Sequence, residues 1–516
     1  MSSLAAFPDL SHLKKQAKQL LRGAHAGDVS ALERFSKSLP ALRGIQLSSA
    51  VARELRLHDA QSVVAREYGF PSWPSLKRSV DWVRSNRTER LRQWFEWIYE
   101  GGTRELKWAI SSLREEPDLF AGDLSFACAT GDTAVLRTTV AEDSAWPMRA
   151  GGPLGMPPLV AVTQSTLILE PEFERGLLDS ARLLLEHGAD VNGTWTNPKW
   201  PEWPLSALHG AAGRTHHVGM LQLLLEAGAD PNDNESLYHS LESRDSTCTQ
   251  LLLKAGARVT GTNAIARALD YGKLYDLQLL LENGGDARER PWIHHAILRG
   301  RSIEFIRVLV EAGADLRAVN REATSLYRWA ELHGRTDVLA ILRSAGIEEA
   351  LSEEDQFVAA CARGDEFAVR AIRERIPDIF SRLSQEQLRL LPERADTGDI
   401  KAVRTMLNAG WPREVKAAWN ATALNLAVYR GDADMANLLL SSGACWETIH
   451  GFKDNVFGTL SHASQALAED PSAPGDYLGC AKALIAHHAP LPEPRYTFSD
   501  EVANYFDTIR LSAGKS

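Results

Sequence analysis

Apolar residues recur along most of the chain at the spacing of short amphipathic helices. One phrase places leucine or valine on consecutive helical turns and then glycine, and it occurs as ARLLLEHGADVN (181–192), LQLLLEAGADPN (221–232), TQLLLKAGARVT (249–260), LQLLLENGGDAR (277–288) and IRVLVEAGADLR (306–317). Glycine directly after an apolar run is the usual signal for the C-terminus of a helix. Each phrase therefore predicts a helix that ends at its glycine.

These glycines recur in phase. They stand at Gly188, Gly228, Gly256, Gly284, Gly313, Gly346, Gly410 and Gly443. A second marker, Gly-Asp after an apolar or alanine-rich segment, occurs at Gly131, Gly364, Gly398 and Gly431. Glycine fits a tight turn there, and the aspartate fits the N-cap of the next helix. The unit is helix, turn, helix and loop in about 33 residues, which predicts an all-α solenoid.

Two of the units match a known pattern well. Residues 206–212 read SALHGAA and precede LLLEAGAD, and residues 422–427 read TALNLA and lead through Gly431 to LLLSSGA. These residues resemble the ankyrin repeat, whose pattern is T-P-L-H-x-A-A-x-x-G followed by L-L-L-x-x-G-A-D. The resemblance covers about residues 116–490. It implies an ankyrin-repeat helical solenoid that binds a partner through its concave groove and edge loops.

The start of the chain has a different character. It carries a basic LKKQAK helix (13–18) and an AREYGF segment (65–70) followed by Ser72-Trp73, a pairing that resembles the leader of many bacterial ankyrin-repeat proteins. Because a solenoid exposes an apolar face at each end, we expect residues 1–115 to form an N-terminal helical cap. We place repeats in 116–345, and degenerate repeats with a C-terminal cap in 346–516.

Two insertions interrupt the period. Residues 190–204 read DVNGTWTNPKWPEWP and place Trp195, Trp200 and Trp203 in one loop. Tryptophan is costly to expose and is enriched where proteins contact partners, so these rings either fold back over neighbouring helices or contact a ligand. The second insertion, residues 444–475, brings Trp446 into a loop between repeats. Insertions in solenoids commonly lie on the binding face.

Polar residues cluster where one loop meets the next helix. Asp233, Glu235, Tyr238 and His239 lie at this point, and the next two units add Asp270, Tyr271 and His294. Stacked units bring equivalent positions about 10 Å apart, so these groups could line one polar stretch of the groove. The alternative is structural, with aspartate and asparagine capping the helices while tyrosine and histidine form hydrogen bonds between repeats.

Charge and composition narrow the range of functions. The net charge is −10, yet residues 1–90 carry 15 Lys+Arg against 8 Asp+Glu. That basic excess is modest, and no known nucleic-acid-binding motif accompanies it. Nucleic acid is therefore not the favoured partner. No apolar run reaches the roughly 18 residues of a membrane span, and residues 1–18 show no apolar core followed by a small-residue cleavage site, so we expect no signal peptide in them. The five cysteines stand apart, and we expect a cytoplasmic protein with buried free thiols.

Signatures of catalysis and of metal binding are weak. The sequence has no G-x-S-x-G, no H-E-x-x-H and no G-x-G-x-x-G motif. Its histidine pairs, at residues 216–217, 294–295 and 487–488, consist of neighbours whose side chains point apart, so they make no chelate. We expect no cofactor and no metal.

The leading hypothesis is a non-enzymatic binding protein with a protein partner. The alternative is an enzyme or a binder of a small, sugar-like ligand. In that case the three tryptophans of 190–204 would form a stacking wall, and the polar groups would come from Asp233, Glu235, His239 and Asp270. A closed, deep pocket joining Glu235 to Trp200 favours the alternative, whereas a shallow open groove excludes it.

Overall fold

The computed structural model describes residues 9–39, 42, 52, 55–70, 73–466, 475–493 and 496–512. In these residues helices dominate, and the named strands form one two-stranded antiparallel sheet. The prediction of an all-α fold is confirmed. The chain divides into two compact units, here called the middle unit (residues 85–326) and the terminal unit (residues 1–84 with 327–516).

The helices follow the repeat pattern along the chain. Up to residue 311 they are α1 (Leu10–His25), α2 (Val29–Ser38), α3 (Leu57–Glu67), α4 (Trp73–Arg84), α5 (Arg87–Tyr99), α6 (Thr103–Glu115), α7 (Leu124–Thr130), α8 (Thr133–Glu142), α9 (Pro158–Thr163), α10 (Pro171–Glu186), α11 (Ala207–His209), α12 (Val218–Glu226), α13 (Ser236–Ser240), α14 (Thr247–Lys254), α15 (Ala264–Asp270), α16 (Leu274–Glu282), α17 (Trp292–Leu298) and α18 (Ile303–Glu311). The strands are β1 (Thr194–Thr196) and β2 (Pro204–Ser206).

The later helices show the same succession of short pairs. They are α19 (Leu326–Leu332), α20 (Thr336–Ser344), α21 (Glu353–Arg363), α22 (Glu366–Arg375), α23 (Ile379–Arg382), α24 (Gln385–Leu388), α25 (Leu390–Asp396), α26 (Ile400–Asn408), α27 (Ala423–Tyr429), α28 (Ala433–Ser441), α29 (Val456–Ala466), α30 (Tyr477–Ala486) and α31 (Asp500–Ser512). Residues 467–474 of the second insertion lie outside the described residues.

Both glycine markers act as expected. Gly188 and Gly228, which follow α10 and α12, have φ values of 85° and 92°, a left-handed conformation that glycine adopts without a steric penalty. In the Gly-Asp turns the aspartate caps the next helix, because Asp132 accepts the backbone N–H of Val135. The equivalent caps are Asp365, Asp399 and Asp432. The helix ends and aspartate caps predicted at these markers are confirmed.

The middle unit begins at residue 85, before residue 116, where the repeats are expected to start from the sequence. Helix α5 packs on repeat residues, since the Tyr99 hydroxyl donates to the carbonyl oxygen of Ala161 at 2.9 Å and Thr166 donates to that of Ile98 at 2.8 Å. The buried ring of Trp94 also lies 5.2 Å from that of Phe126. Residues 85–115 therefore share a compact unit with the repeats that follow them.

The terminal unit contains two separate apolar cores. The leader helices α1 to α4 enclose one core around Phe35, Val63 and Leu76. Helices from α19 onward enclose the other, which includes Phe357 and Trp411. Whether the leader caps the repeats stays a prediction. Four cysteines are buried as expected, whereas Cys445 is exposed because it lies in the loop after α28.

Candidate functional site

A pocket in the middle unit brings several of the candidate residues together. Its cavity volume is about 650 Å³, and its walls include Trp200 and Trp203 from the first insertion and Glu235, Tyr238 and His239 from α13 and its approach. Asn234, Thr262, Asn263 and Arg290 add polar groups from the same loop and the following ones. We call this cavity the tryptophan pocket. It joins Glu235 to Trp200, but it is broadly open to solvent and so is not the closed pocket that the small-ligand hypothesis requires.

The Trp-rich insertion forms a small hairpin. Strands β1 and β2 pair antiparallel, with Trp195 opposite Leu205. The Trp195 side chain points inward and is buried, and its indole N–H donates to the carbonyl oxygen of Leu154 at 2.8 Å. Trp200 and Trp203 lie beyond the strand and keep 59% and 51% of their surface exposed. Trp195 therefore packs against its own protein chain, whereas the rings of Trp200 and Trp203 remain exposed to solvent.

Asp233 has a structural part in this arrangement. Its carboxylate accepts the backbone N–H of Ser236 at 2.8 Å and the Ser236 hydroxyl at 2.6 Å, which fixes the start of α13. The Ser206 hydroxyl donates to the same carboxylate and ties the hairpin to this helix. These bonds are the capping pattern that the structural alternative anticipated.

His239 lies between two carboxylates. Its Nε2 is 3.2 Å from Glu235 Oε2, and its Nδ1 is 2.8 Å from Glu242 Oε1. Burial opposes a charge on the ring, but the hydrogen bonds to Glu235 and Glu242 outweigh it and raise the pKa of His239 to about 9. The imidazole is therefore protonated near neutral pH, so it carries no lone pair with which to accept a proton.

Arg267 extends this ion network to the tyrosines. Its Nε donates to Glu242 Oε1 at 3.1 Å. Its guanidinium carbon lies 4.6 Å from the centroid of the Tyr238 ring and 4.7 Å from that of Tyr271. Burial opposes ionisation of Glu242, but its bonds from His239 and Arg267 lower the pKa of this carboxyl. Cation–π contacts with Arg267 thus fix the rings of both tyrosines from one side.

Three residues at the site were not predicted from the sequence: Glu242, Arg267 and Arg290. Glu242 stands three residues after His239, a spacing that brings side chains together on one helical turn and could have identified the pair. Arg267 and Arg290 come from later units, so only the stacking of the repeats brings them here. Arg290 donates to Asn263 at 2.8 Å and lies over the ring of Trp292.

The remaining polar candidates form bonds between neighbouring units. Asp270 accepts from His295 Nε2 at 2.8 Å and from Arg299 Nε at 2.7 Å. His294 is buried, its Nε2 bonds the carbonyl oxygen of Thr324 at 3.1 Å, and burial lowers its pKa. Neither Asp270 nor His294 is among the residues that line the tryptophan pocket.

Trp446 belongs to the terminal unit and takes no part in the tryptophan pocket. It is half-buried, and its ring centroid lies 5.8 Å from that of the buried Phe457. The second insertion thus contributes at least one aromatic ring to packing within its own unit.

Two other features, a metal-binding cluster and a membrane-spanning helix, are absent from the described part of the chain. No group of three or more His, Cys, Asp or Glu side chains there is arranged to hold a metal ion. Of the helices described, none combines the length and the apolar character needed to cross a membrane.

Comparisons with known proteins agree with the repeat pattern. The ankyrin repeat family model matches residues 205–235 and 419–449, the two units with the clearest motifs. Among solved structures, the ankyrin repeat domain of human ASB11 is 20% identical, with a TM-score of 0.34, and the match covers 45% of this chain and 100% of that one. The ankyrin repeat domain of Bcl-3, of the IkappaB protein family, is 22% identical with a TM-score of 0.35, covering 43% and 99%. No curated protein matches the chain.

Proposed function

We propose that this chain is a non-enzymatic binding protein that recognises a protein partner through the tryptophan pocket. The observation that carries the proposal is the exposure of Trp200 and Trp203 beside Tyr238 and Arg290. Tryptophan, tyrosine and arginine are the residues most enriched at the energetic centres of protein interfaces. Ankyrin repeats, which this chain contains at 205–235 and 419–449, generally mediate contacts between proteins.

The pocket is held in shape before any partner arrives. Arg267 fixes Tyr238 from one side, Asp233 fixes the start of α13, and β1–β2 pairing fixes the base of the Trp-rich loop. Binding then costs little conformational entropy on this side of the interface. A partner segment that places an apolar side chain between Trp200 and Trp203 would gain most of its free energy from those two rings.

The charges around His239 leave it unsuited to act as a general base near neutral pH. Glu235 is paired with His239, which in turn is paired with Glu242. A general base near neutral pH needs an unprotonated group, and the pKa of His239 is raised to about 9 by its two carboxylate partners despite its burial. The network therefore acts as a preformed set of charges that orients polar groups of a partner.

The experiment compares partner capture by three forms of the full chain. The double variant Trp200→Ala/Trp203→Ala should lose a set of proteins that the wild type retains from lysate. The variant Phe367→Ala, which removes a side chain that is 85% exposed in the terminal unit, should retain them. For one such protein in purified form, the double variant should weaken the affinity by about 100-fold, as expected for two central aromatic residues. Equal affinity of the double variant and the wild type would refute the proposal.

The second candidate function is binding of a small, sugar-like ligand. One observation favours it: the tryptophan pocket places the rings of Trp200 and Trp203 beside Glu235, and its volume is in the range of small-molecule sites. A panel of neutral oligosaccharides tested by calorimetry would decide. Saturable binding that disappears in Trp200→Ala and persists in Phe367→Ala supports this candidate, and the absence of heat with every sugar removes it.

A further inference from the structure

The tryptophan pocket is an open groove that combines aromatic rings with amide side chains. Trp200 and Trp203 belong to one turn, since the backbone N–H of Trp203 donates to the carbonyl oxygen of Trp200 at 3.3 Å. Both rings keep more than half of their surface exposed. Tyr238 adds a third ring, and Asn234 and Asn263 add exposed amides. An open groove can hold part of an extended chain segment that continues beyond it, so its shape does not require a compact ligand.

The neutral polar groups of the pocket that lack a partner are mainly hydrogen-bond donors. Within the described residues, no hydrogen bond engages the indole N–H of Trp200 or Trp203, or the hydroxyl of Tyr238. The Asn263 oxygen already accepts a hydrogen bond from a neighbouring arginine at 2.8 Å, which leaves the N–H groups of that amide. Asn234 contributes one further amide. A ligand rich in acceptors and poor in donors complements this set.

The charged side chains of the pocket already have partners of opposite sign. Glu235 lies 3.2 Å from the protonated ring of His239, which also contacts Glu242 at 2.8 Å. Arg290 lies 3.9 Å from Glu289. A charged ligand would have to compete with these pairs for its counterion, whereas a neutral segment leaves them in place. The charge pattern therefore favours an uncharged occupant.

Of the common modes of peptide recognition, one matches this surface. Strand addition needs a free sheet edge, but each strand of the hairpin has three residues, and β2 begins with Pro204, which has no N–H. An amphipathic helix needs a long apolar groove, whereas asparagine and charged side chains interrupt this wall. A phosphorylated segment needs a cluster of arginines, and the lining contains a single one, Arg290. Polyproline II segments dock in grooves lined by aromatic rings.

We propose that the tryptophan pocket binds a proline-rich segment of the partner protein in the polyproline II conformation, an inference that rests on the proposed function because it names what that partner presents. Such a segment has no internal hydrogen bonds, so its carbonyl oxygens are available to the indole, phenol and amide donors. Proline lacks a backbone N–H, so the segment brings few donors of its own. Its rings pack on Trp200 and Trp203, and its stiff backbone loses little entropy on binding.

The probe is a fluorescently labelled, uncharged decapeptide of L-proline, and fluorescence anisotropy follows its binding to the full chain. The matched control is the decapeptide of D-proline, which has the same composition and the opposite helical hand. We expect saturable binding of the L-peptide and at least about tenfold weaker binding of the D-peptide, because polyproline II is left-handed in L-residues. A neutral amphipathic helical peptide of leucine and glutamine should not compete. No saturable binding of the L-peptide at millimolar concentration, equal binding of the D-peptide, or tighter binding of the helical peptide would overturn the proposal.

Variants locate the bound peptide. Trp200→Ala and Trp203→Ala should each weaken binding by about tenfold or more. Tyr238→Phe keeps the ring and removes only the donor, so it should weaken binding by about fivefold. Tyr275→Phe, at a tyrosine of α16 that is 56% exposed and does not line the pocket, should leave the affinity unchanged. Circular dichroism and the melting temperature establish that each variant is folded. Undiminished binding in both tryptophan variants would place the peptide elsewhere and overturn the assignment.

The two levels of the proposal fail in different ways. If the L-peptide does not bind, but the double variant of Trp200 and Trp203 still loses the lysate proteins that the wild type retains, the proline-rich segment is wrong and the proposed function stands. If the L-peptide binds in the pocket while the double variant retains every one of those proteins, the proposed function is wrong and the affinity of the pocket for polyproline II remains.

Discussion

The indole N–H of Trp195 donates a hydrogen bond to the carbonyl oxygen of Leu154, 2.8 Å away. This bond connects the Trp-rich hairpin to the glycine-rich loop that precedes α9, over 41 residues of sequence. It also separates the three tryptophans of the insertion by role, because Trp195 is buried while Trp200 and Trp203 remain exposed. The insertion is thus anchored at one ring and presents two others.

Replacement of Trp195 should therefore destabilise the middle unit. Trp195→Phe removes the hydrogen-bond donor and part of the buried area, and we expect a loss of about 1 to 3 kcal/mol in the free energy of unfolding. Trp200→Phe, at a ring that is 59% exposed, should change it by less than about 0.5 kcal/mol. Thermal unfolding followed by circular dichroism measures both. Equal effects would contradict the separate roles of the two rings.

His239 should give the stability of the protein a pH dependence above neutrality. Despite burial, its bonds to Glu235 and Glu242 raise its pKa to about 9 in the folded state, whereas the ordinary value is about 6.5. The stabilisation that protonated His239 gives the folded state is thus fully present below pH 6.5 and is lost as the pH rises through 9. The resulting change in the free energy of unfolding is up to about 3 kcal/mol.

The measurement is the melting temperature between pH 6 and 9.5 for the wild type and His239→Gln. The difference between the two proteins should shrink across that interval. A constant difference would mean that the charge on the ring does not contribute. Lys199→Gln changes a residue outside this network. Its melting temperature should vary with pH as that of the wild type does over the lower part of this range.

Arg214 should stabilise the junction between α5 and the repeats. Its Nη2 donates to the carbonyl oxygens of Ile98 and Gly101, both at 3.2 Å, at the C-terminus of α5, where a positive charge is favoured. Burial lowers its pKa to about 10, so the charge persists at neutral pH. Arg214→Met should cost about 1 to 3 kcal/mol. Arg182→Met breaks an exposed ion pair with Asp179 and should lower the free energy of unfolding by less than about 1 kcal/mol. Urea titration of both variants and of the wild type measures the two changes.

Gly176 lies in the interior of α10, where alanine would normally be preferred by about 1 kcal/mol. A Cβ at this position would stand 2.6 Å from the carbonyl oxygen of Gly131, which is backbone and cannot move aside easily. We expect Gly176→Ala to lower stability by about 2 kcal/mol because the overlap outweighs the helix preference. A rise in melting temperature would contradict this contact.

Gly219 supplies the matched control, since it also lies inside a helix. Its Cβ would meet the Cε1 atom of the His217 ring at 3.3 Å, a looser contact than the 2.6 Å approach to backbone at Gly176. Gly219→Ala should therefore leave the stability unchanged or raise it by up to about 1 kcal/mol.

The local features of the repeats could be predicted because each depends on neighbouring residues. A helix needs an aspartate or serine cap and a glycine stop within a few positions, so Asp132 and Gly188 indicated their roles without any knowledge of the fold. The structural reading of Asp233 followed from the same rule. Candidate side chains on one loop and its helix, such as Glu235 and His239, also came together as expected.

The sequence by itself determined the helices of the repeats, the repeat length and the turns, since these follow from periodicity and from backbone preferences over a few residues. Only the tertiary structure decided that Trp195 is buried, that Arg267 lies against Tyr238, and that Gly131 touches Gly176. The physical reason is that these contacts join units separated by 25 residues or more, and their geometry depends on how neighbouring helices pack.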